Sequence, residues 1–131
     1  MTRSFATKGY SDEQKSIYDI VLNAQVKSIE GIKSGMSCKS IDSIARDHIA
    51  NAGYSKFFDH GLGHSLGLEI HEDPRFSKVS EDVLEENYVM TVEPGIYVPD
   101  IGGVRIEDDI IVTKNGAEIL NKTSKEFQVI S

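Results

Sequence analysis

Apolar positions in the first fifty or so residues recur at helical spacing. Ile17, Ile20, Val21 and Ala24 fall at i, i+3, i+4 and i+7, which predicts an amphipathic helix. Ser11 precedes it as an N-cap, with Asp12 and Glu13 in the first turn and Gln14 placed to close a capping box. The spacing carries this helix to Ser34, with Gly35 as its stop. A second helix is predicted from near Ser40, with Ile41, Ile44, Ala45 and Ile49 on one face and Gly53 as terminator. His48 sits at the edge of that face and reads as structural. Ahead of both helices, Met1–Thr7 reads as a short strand closed by Lys8-Gly9.

Beyond Tyr54 the period changes. Tyr88–Glu93, Gly95–Val98, Val104–Val112 and Ala117–Leu120 are β-rich, separated by Pro94, Pro99-Asp100, Gly102-Gly103 and Asn115-Gly116. Helices followed by a sheet of antiparallel character give an α+β fold. At 131 residues, with no repeat or linker, the chain reads as one domain.

Composition narrows the partners. With 14 basic and 21 acidic residues the net charge is −7 at pH 7, which argues against a phosphate-tracking surface and so against nucleic acid. Cys38 is the one cysteine, so neither an internal disulfide nor a thiolate zinc cluster is available. MTRSFATKGY lacks the apolar core of a signal peptide, and no apolar run approaches membrane-spanning length. The expectation is a cytoplasmic protein with no membrane partner.

The chemistry concentrates in HGLGHSLGLEIHEDP, residues 60–74, which holds three of the four histidines. In one straight strand, His64 and His71 would lie roughly 23 Å apart at about 3.3 Å per residue, facing opposite ways. They share a site only if the chain bends, and Gly67 is where a bend is easiest. His60 and His64 have H-x-x-x-H spacing, but two glycines stand between them and the glutamate of a zincin helix is missing. Alternation in VRIEDDIIV puts Val104, Ile106, Ile110 and Val112 on one face and Arg105, Glu107, Asp109 and Ile111 on the other. In YVMTVE, Val89, Thr91 and Glu93 share a face. Glu93 and Glu107 each lie in otherwise apolar surroundings, and a buried carboxylate needs a cation. A histidine with two glutamates suits Mn²⁺, Co²⁺ or Zn²⁺, with Mn²⁺ favoured as oxygen content rises.

GHSLGLEIHEDP followed by MTVEPGIYVPDIGGVRIEDDIIVT resembles the C-terminal motifs of the Xaa-Pro aminopeptidases, within the pita-bread metallopeptidases that include prolidase. TRSFATKG resembles the strand that follows S-D-x-T-R in that family. The resemblance implies the later part of a pita-bread catalytic domain, two helices packed on a curved antiparallel sheet. It implies a dinuclear site, usually manganese, held by two Asp, one His and two Glu. Carried over by motif, His64 is a metal ligand, Glu93 a ligand and proton acceptor, and Glu107 a ligand bridging both ions. His60 and His71 match residues that contact substrate and stabilise the tetrahedral intermediate, and Arg105 matches the arginine that orients the cluster. The implied activity is metal-assisted removal of the residue before proline from a proline-containing peptide.

Both Asp ligands lie upstream of T-R in the family, the second immediately before the position of Met1. Asp12, at a helix start, does not replace them. Residues 1–131 are therefore expected to be inactive alone and to leave Thr2–Thr7 as an open strand edge, favouring a homo-oligomer or a complementing N-terminal segment. Xaa-Pro dipeptidase, a non-catalytic peptide-binding module and a mononuclear hydrolase are the alternatives. Metal stoichiometry separates the last two from a dinuclear peptidase.

Overall fold

Ser11 starts the first helix as its sequence dictates. In the computed structural model, which describes residues 1–130, its side chain accepts from Gln14 N and Gln14 reciprocates, capping α1 (Asp12–Gly31). The helix ends short of Ser34 because Ile32 turns extended and is buried, 1% exposed, against the core. Helix α2 (Cys38–Asn51) starts ahead of Ser40, capped by Ser37. The two helices pack on each other, with Gly31 against Ile44.

The strands are β1 (Ala6–Thr7), β2 (Gly63–Ser65), β3 (Glu72–Phe76), β4 (Val89–Val92), β5 (Gly95–Val98), β6 (Gly102–Arg105), β7 (Asp108–Val112), β8 (Ala117–Ile119) and β9 (Val129–Ile130). The main sheet runs β3-β2-β4-β7-β8 with every neighbour antiparallel; β5 pairs with β6, and β1 with β9. Val104–Val112 is therefore two strands, not one. Val92 pairs with Asp108 and Gly95 with Arg105, so the same register places Glu93 across from Glu107 at the break between them. Pro94 has no N–H to continue the ladder. The two glutamates bond elsewhere: Glu93 N donates to Leu62 O at 2.7 Å and Glu107 N to Thr2 O at 3.0 Å.

The N-terminal edge is covered in part, which departs from expectation. Thr2 bridges to Glu107, and Ala6 and Thr7 pair with Val129 and Ile130. One apolar core joins Ile17, Val21, Ile41 and Ile49 of the helices to Met90, Val92, Ile96 and Ile110 of the strands and to Ile106 between β6 and β7. Asp108 shares that core face, fully buried, and meets Arg3 Nη2 at 2.6 Å, Lys125 Nζ at 2.9 Å and Gln25 Nε2 at 2.9 Å. Burial pushes its carboxyl up, but the hydrogen bonds from Lys125, Arg3 and Gln25 outweigh it and hold it below the usual value. Among the described residues no helix is long and apolar enough to cross a membrane.

Candidate active site

Residues 66–71 carry the chain from β2 back into β3. Gly67 N donates to Glu69 O at 3.0 Å and Glu69 N to Glu72 Oε1 at 3.0 Å, closing the bend while Leu68 and Ile70 face solvent. The rings of His64 and His71 thereby come within 4.5 Å of each other. On the other side of β2, the backbones of Gly63 and Thr91 touch so closely that a Cβ on Gly63 would overlap the Thr91 carbonyl.

That approach brings Thr91 and Glu93 to His64. His64 N donates to Thr91 Oγ1 at 3.1 Å, and Thr91 Oγ1 donates to Glu93 Oε1 at 2.9 Å. His64 Nδ1 lies 2.9 Å from Ser65 O. A carbonyl only accepts, so Nδ1 carries the proton and, in the neutral ring, Nε2 presents a lone pair. That lone pair faces Glu93 Oε1 across 3.1 Å. Two acceptors at this distance need a cation between or beside them, a proton or a metal ion. Two ligands that each sit about 2.1 Å from one ion at a right angle are separated by about 3 Å, so the pair fits part of a metal shell.

His60 reaches the same space from the segment before β2. Its Nδ1 donates to Gly61 O at 2.7 Å, leaving Nε2 to accept from Tyr97 Oη at 2.8 Å. Burial raises the Tyr97 phenol, partly offset by the charge of Arg105, so it remains a donor. His60, His64, His71, Arg75, Glu93 and Arg105 line one open cavity of about 460 Å³. Glu107 is not in that lining. Its carboxylate accepts from Thr2 Oγ1, which Arg105 Nε approaches at 3.4 Å, and lies 3.7 Å from the Met1 amine. Among the described residues no three His, Cys, Asp or Glu side chains gather as a metal site. The donors thus suit a divalent ion in kind, but only two of them meet. A second cavity of about 330 Å³, between α1 and the β6 edge, is lined by aromatics such as Phe5, Tyr10 and Phe127 and by no acid or histidine.

Arg75, Thr91, Tyr97 and Thr2 were not singled out by sequence. Thr91 was legible as a face-mate of Glu93, and Arg75 follows directly on EIHEDP. Nothing local pointed to Tyr97 or Thr2, whose partners lie far along the chain.

Residues 1–114 match metallopeptidase family M24. The chain is 53% identical to the Xaa-Pro dipeptidase of Pyrococcus horikoshii over 97% of its own length and 36% of the relative's. Among solved structures, an Xaa-Pro dipeptidase from Bacillus anthracis superposes with a TM-score of 0.96 at 49% identity, covering 98% of this chain and 36% of that one. An X-Pro aminopeptidase from Thermotoga maritima gives 0.93 at 42% identity, with 98% and 36% covered. The chain spans about a third of the length of these relatives, 36% in each case. A match of this extent, on a fold of two helices and antiparallel sheets that superposes so closely, means that the chain belongs to metallopeptidase family M24, the pita-bread peptidases.

Proposed function

We propose that residues 1–131 form the later portion of the catalytic domain of an Xaa-Pro dipeptidase, which splits a dipeptide at the bond before proline. The observation that carries this is the His64–Glu93 pair, 3.1 Å apart on the wall of a cavity shared with His60, His71, Arg75 and Arg105. The expectation from motifs alone was an aminopeptidase. Two points favour the dipeptidase: relatives bearing that name match at about half identity, and the cavity holds two arginines. A dipeptidase must recognise a free carboxylate on the proline itself, and guanidinium groups bind carboxylates bidentately.

In this reading His64 and Glu93 would hold a divalent ion, and Glu107, outside the cavity lining, is the further carboxylate that the chain could offer it. One imidazole among carboxylates suits Mn²⁺, with Co²⁺ or Zn²⁺ as alternatives. When bound, the metal supplies Lewis acidity and an activated water at neutral pH. Thr91 fixes the Glu93 carboxylate, which accepts the proton of the attacking water. His71, beside His64, donates to the charge that develops on the scissile carbonyl oxygen. Both nitrogens of His60 are engaged within the protein, so what it offers the cavity is its ring, a surface for the proline ring. Arg105 reaches toward Thr2 and so toward Glu107, keeping that side of the site in register. The lone, buried Cys38 suits a reducing cytoplasm.

A peptide-binding module without catalysis is the alternative, favoured by the two-donor count among the described residues. The intact protein with added Mn²⁺ decides, assayed on Ala-Pro and on Ala-Pro-Ala, with metal content measured alongside. The expected result is bound metal and cleavage of the dipeptide well above the tripeptide, lost in Arg75→Gln through a raised KM. Equal or preferred cleavage of the tripeptide restores the aminopeptidase. No bound metal and no cleavage leaves the binding module.

A further inference from the structure

Helix α2 carries an ion pair to which the peptidase chemistry assigns nothing. Arg46 Nε lies 2.7 Å from Asp42 Oδ2, and Nη2 lies 3.0 Å from Oδ1. On a solvent-facing helix, such an i,i+4 pair adds little. This one is sequestered, with side-chain exposures of 1% for Asp42 and 17% for Arg46.

Both partners direct their other hydrogen bonds to the segment that carries His60. Arg46 Nη1 donates to Phe58 O at 3.1 Å and Nη2 to His60 O at 2.9 Å, while Asp42 Oδ1 accepts from Leu62 N at 3.0 Å. The guanidinium lies over the Phe58 ring, 4.3 Å from its centroid, and that ring meets His60 edge-on at 5.1 Å and 86°. The grip extends one step further. Leu62 O accepts from Glu93 N at 2.7 Å, so one residue is held at its N–H by Asp42 and at its carbonyl by Glu93. Residues 58–62 lie outside any helix or strand, and these bonds fix them at three points.

We propose that Asp42 and Arg46 are positioning residues of the active site, holding His60 and the Glu93 backbone in place from behind the cavity wall. The proposal rests on the peptidase reading for its kinetic consequence, though not for its structural one. The planar fork of arginine spans two carbonyls at once. A lysine keeps the charge but offers a single compact ammonium, so it satisfies one carbonyl at a time. Loss of either clamp member leaves buried backbone groups without partners and frees the His60 segment to shift. Displacements of about 1 Å at substrate-contacting groups cost on the order of 100-fold in rate.

The test uses Arg46→Lys and Asp42→Asn in the intact protein, beside Arg46→Ala. Expected for the first two is a folded protein with wild-type metal content and a kcat/KM on Ala-Pro lowered about 10- to 100-fold. Long-range ¹H–¹⁵N spectra of the His60 ring should pass from a defined Nδ1–H form to a mixture of tautomers. A clamp that serves stability alone predicts a lower Tm with unchanged kinetics of the folded enzyme and unchanged His60 signals, and that result overturns the proposal. Should Arg46→Ala fail to fold, the two milder variants decide. The spectra need no turnover: wild-type protein inactive on every Xaa-Pro peptide, with His60 signals still altered in the variants, sinks the peptidase reading and upholds the clamp.

Discussion

The rings of His64 and His71 stand 4.5 Å apart at 55°, yet only His64 pairs with Glu93. His64 belongs to β2, and His71 to the loop that enters β3. This asymmetry separates the roles proposed for them. His64→Ala removes half of the pair that would hold a cation, so the intact protein should lose both metal and activity on exhaustive buffer exchange. His71→Ala leaves that pair alone, so metal should stay while kcat falls about 100- to 1,000-fold, the usual effect of removing one donor to a developing oxyanion. Elemental analysis beside kinetics checks both. Loss of metal in His71→Ala would show that the imidazoles share the ion, contrary to the division drawn here.

Gly63 packs directly on Thr91 of β4, and an added Cβ would run into the Thr91 carbonyl, which is backbone and cannot swing aside, and into Thr91 Oγ1. Gly63→Ala should destabilise the fold by about 1–3 kcal/mol, the range for forced overpacking. Gly116 is a built-in control, since nothing lies within 4 Å of a Cβ placed there. Gly116→Ala should therefore stay within about 0.5 kcal/mol of the parent. Urea midpoints at constant m-value measure both. Equal midpoints for the two variants would mean that β2 and β4 separate without cost.

Asp108 gives the fold an acid limit. Its carboxyl sits below its usual 3.8 because hydrogen bonds from Lys125, Arg3 and Gln25 outweigh the opposing effect of burial. A depressed folded-state pKa means that the unfolded chain binds more protons near that value. The stabilisation is thus fully present above the ordinary carboxylate pKa and is lost as pH falls through the lower, folded one. Unfolding free energy should drop between about pH 5 and pH 2, and the drop should be shallower in Asp108→Asn. At neutral pH that variant should itself lose about 3–5 kcal/mol, since it leaves Arg3 and Lys125 without their buried counter-charge. Urea titrations across pH read both effects. An identical pH slope in the variant would remove Asp108 as the titrating group.

What the sequence made legible was local or periodic. The Ser11–Gln14 capping box needs only neighbouring residues, and strand alternation placed Ile106, Ile110 and Val112 correctly on the buried face. The histidine cluster is legible as a run of three, and the bend between His64 and His71 only as the condition for a shared site, with Gly67 its easiest place. The end of α1 is not legible, because Ile32 leaves the helix for a core assembled from distant elements. The break between Arg105 and Asp108 was hidden because alternation continues through it, while the partner that captures the Glu107 backbone is Thr2 at the far end of the chain. The same alternation put Asp108 on the core face, but its cations, Arg3 and Lys125, lie 105 and 17 residues away. Buried charge is thus expected at Glu93 and Glu107, and the fully buried carboxylate of these strands is their neighbour Asp108.

Tyr97 tests the role of His60 from the opposite side to Arg46. Its hydroxyl donates to His60 Nε2 at 2.8 Å, and its ring stands 5.5 Å from the imidazole. Tyr97→Phe keeps the ring and its packing and removes that one bond. A hydrogen bond of this kind contributes about 0.5–1.5 kcal/mol net, which corresponds to about a 2- to 10-fold loss in kcat/KM. If His60 meets the proline ring and not the reacting atoms, the loss should fall on KM and leave kcat nearly intact. Tm should change little, because the bond lies at the cavity wall and no core residue moves. Since Arg46 holds the backbone and Tyr97 the ring of one residue, Tyr97→Phe combined with Arg46→Lys should cost less than the sum of the two. Kinetics of the wild type, both single variants and the double variant close the cycle. A strictly additive result would mean that His60 is not their common target, and a loss confined to kcat would move His60 from proline binding to the chemistry itself.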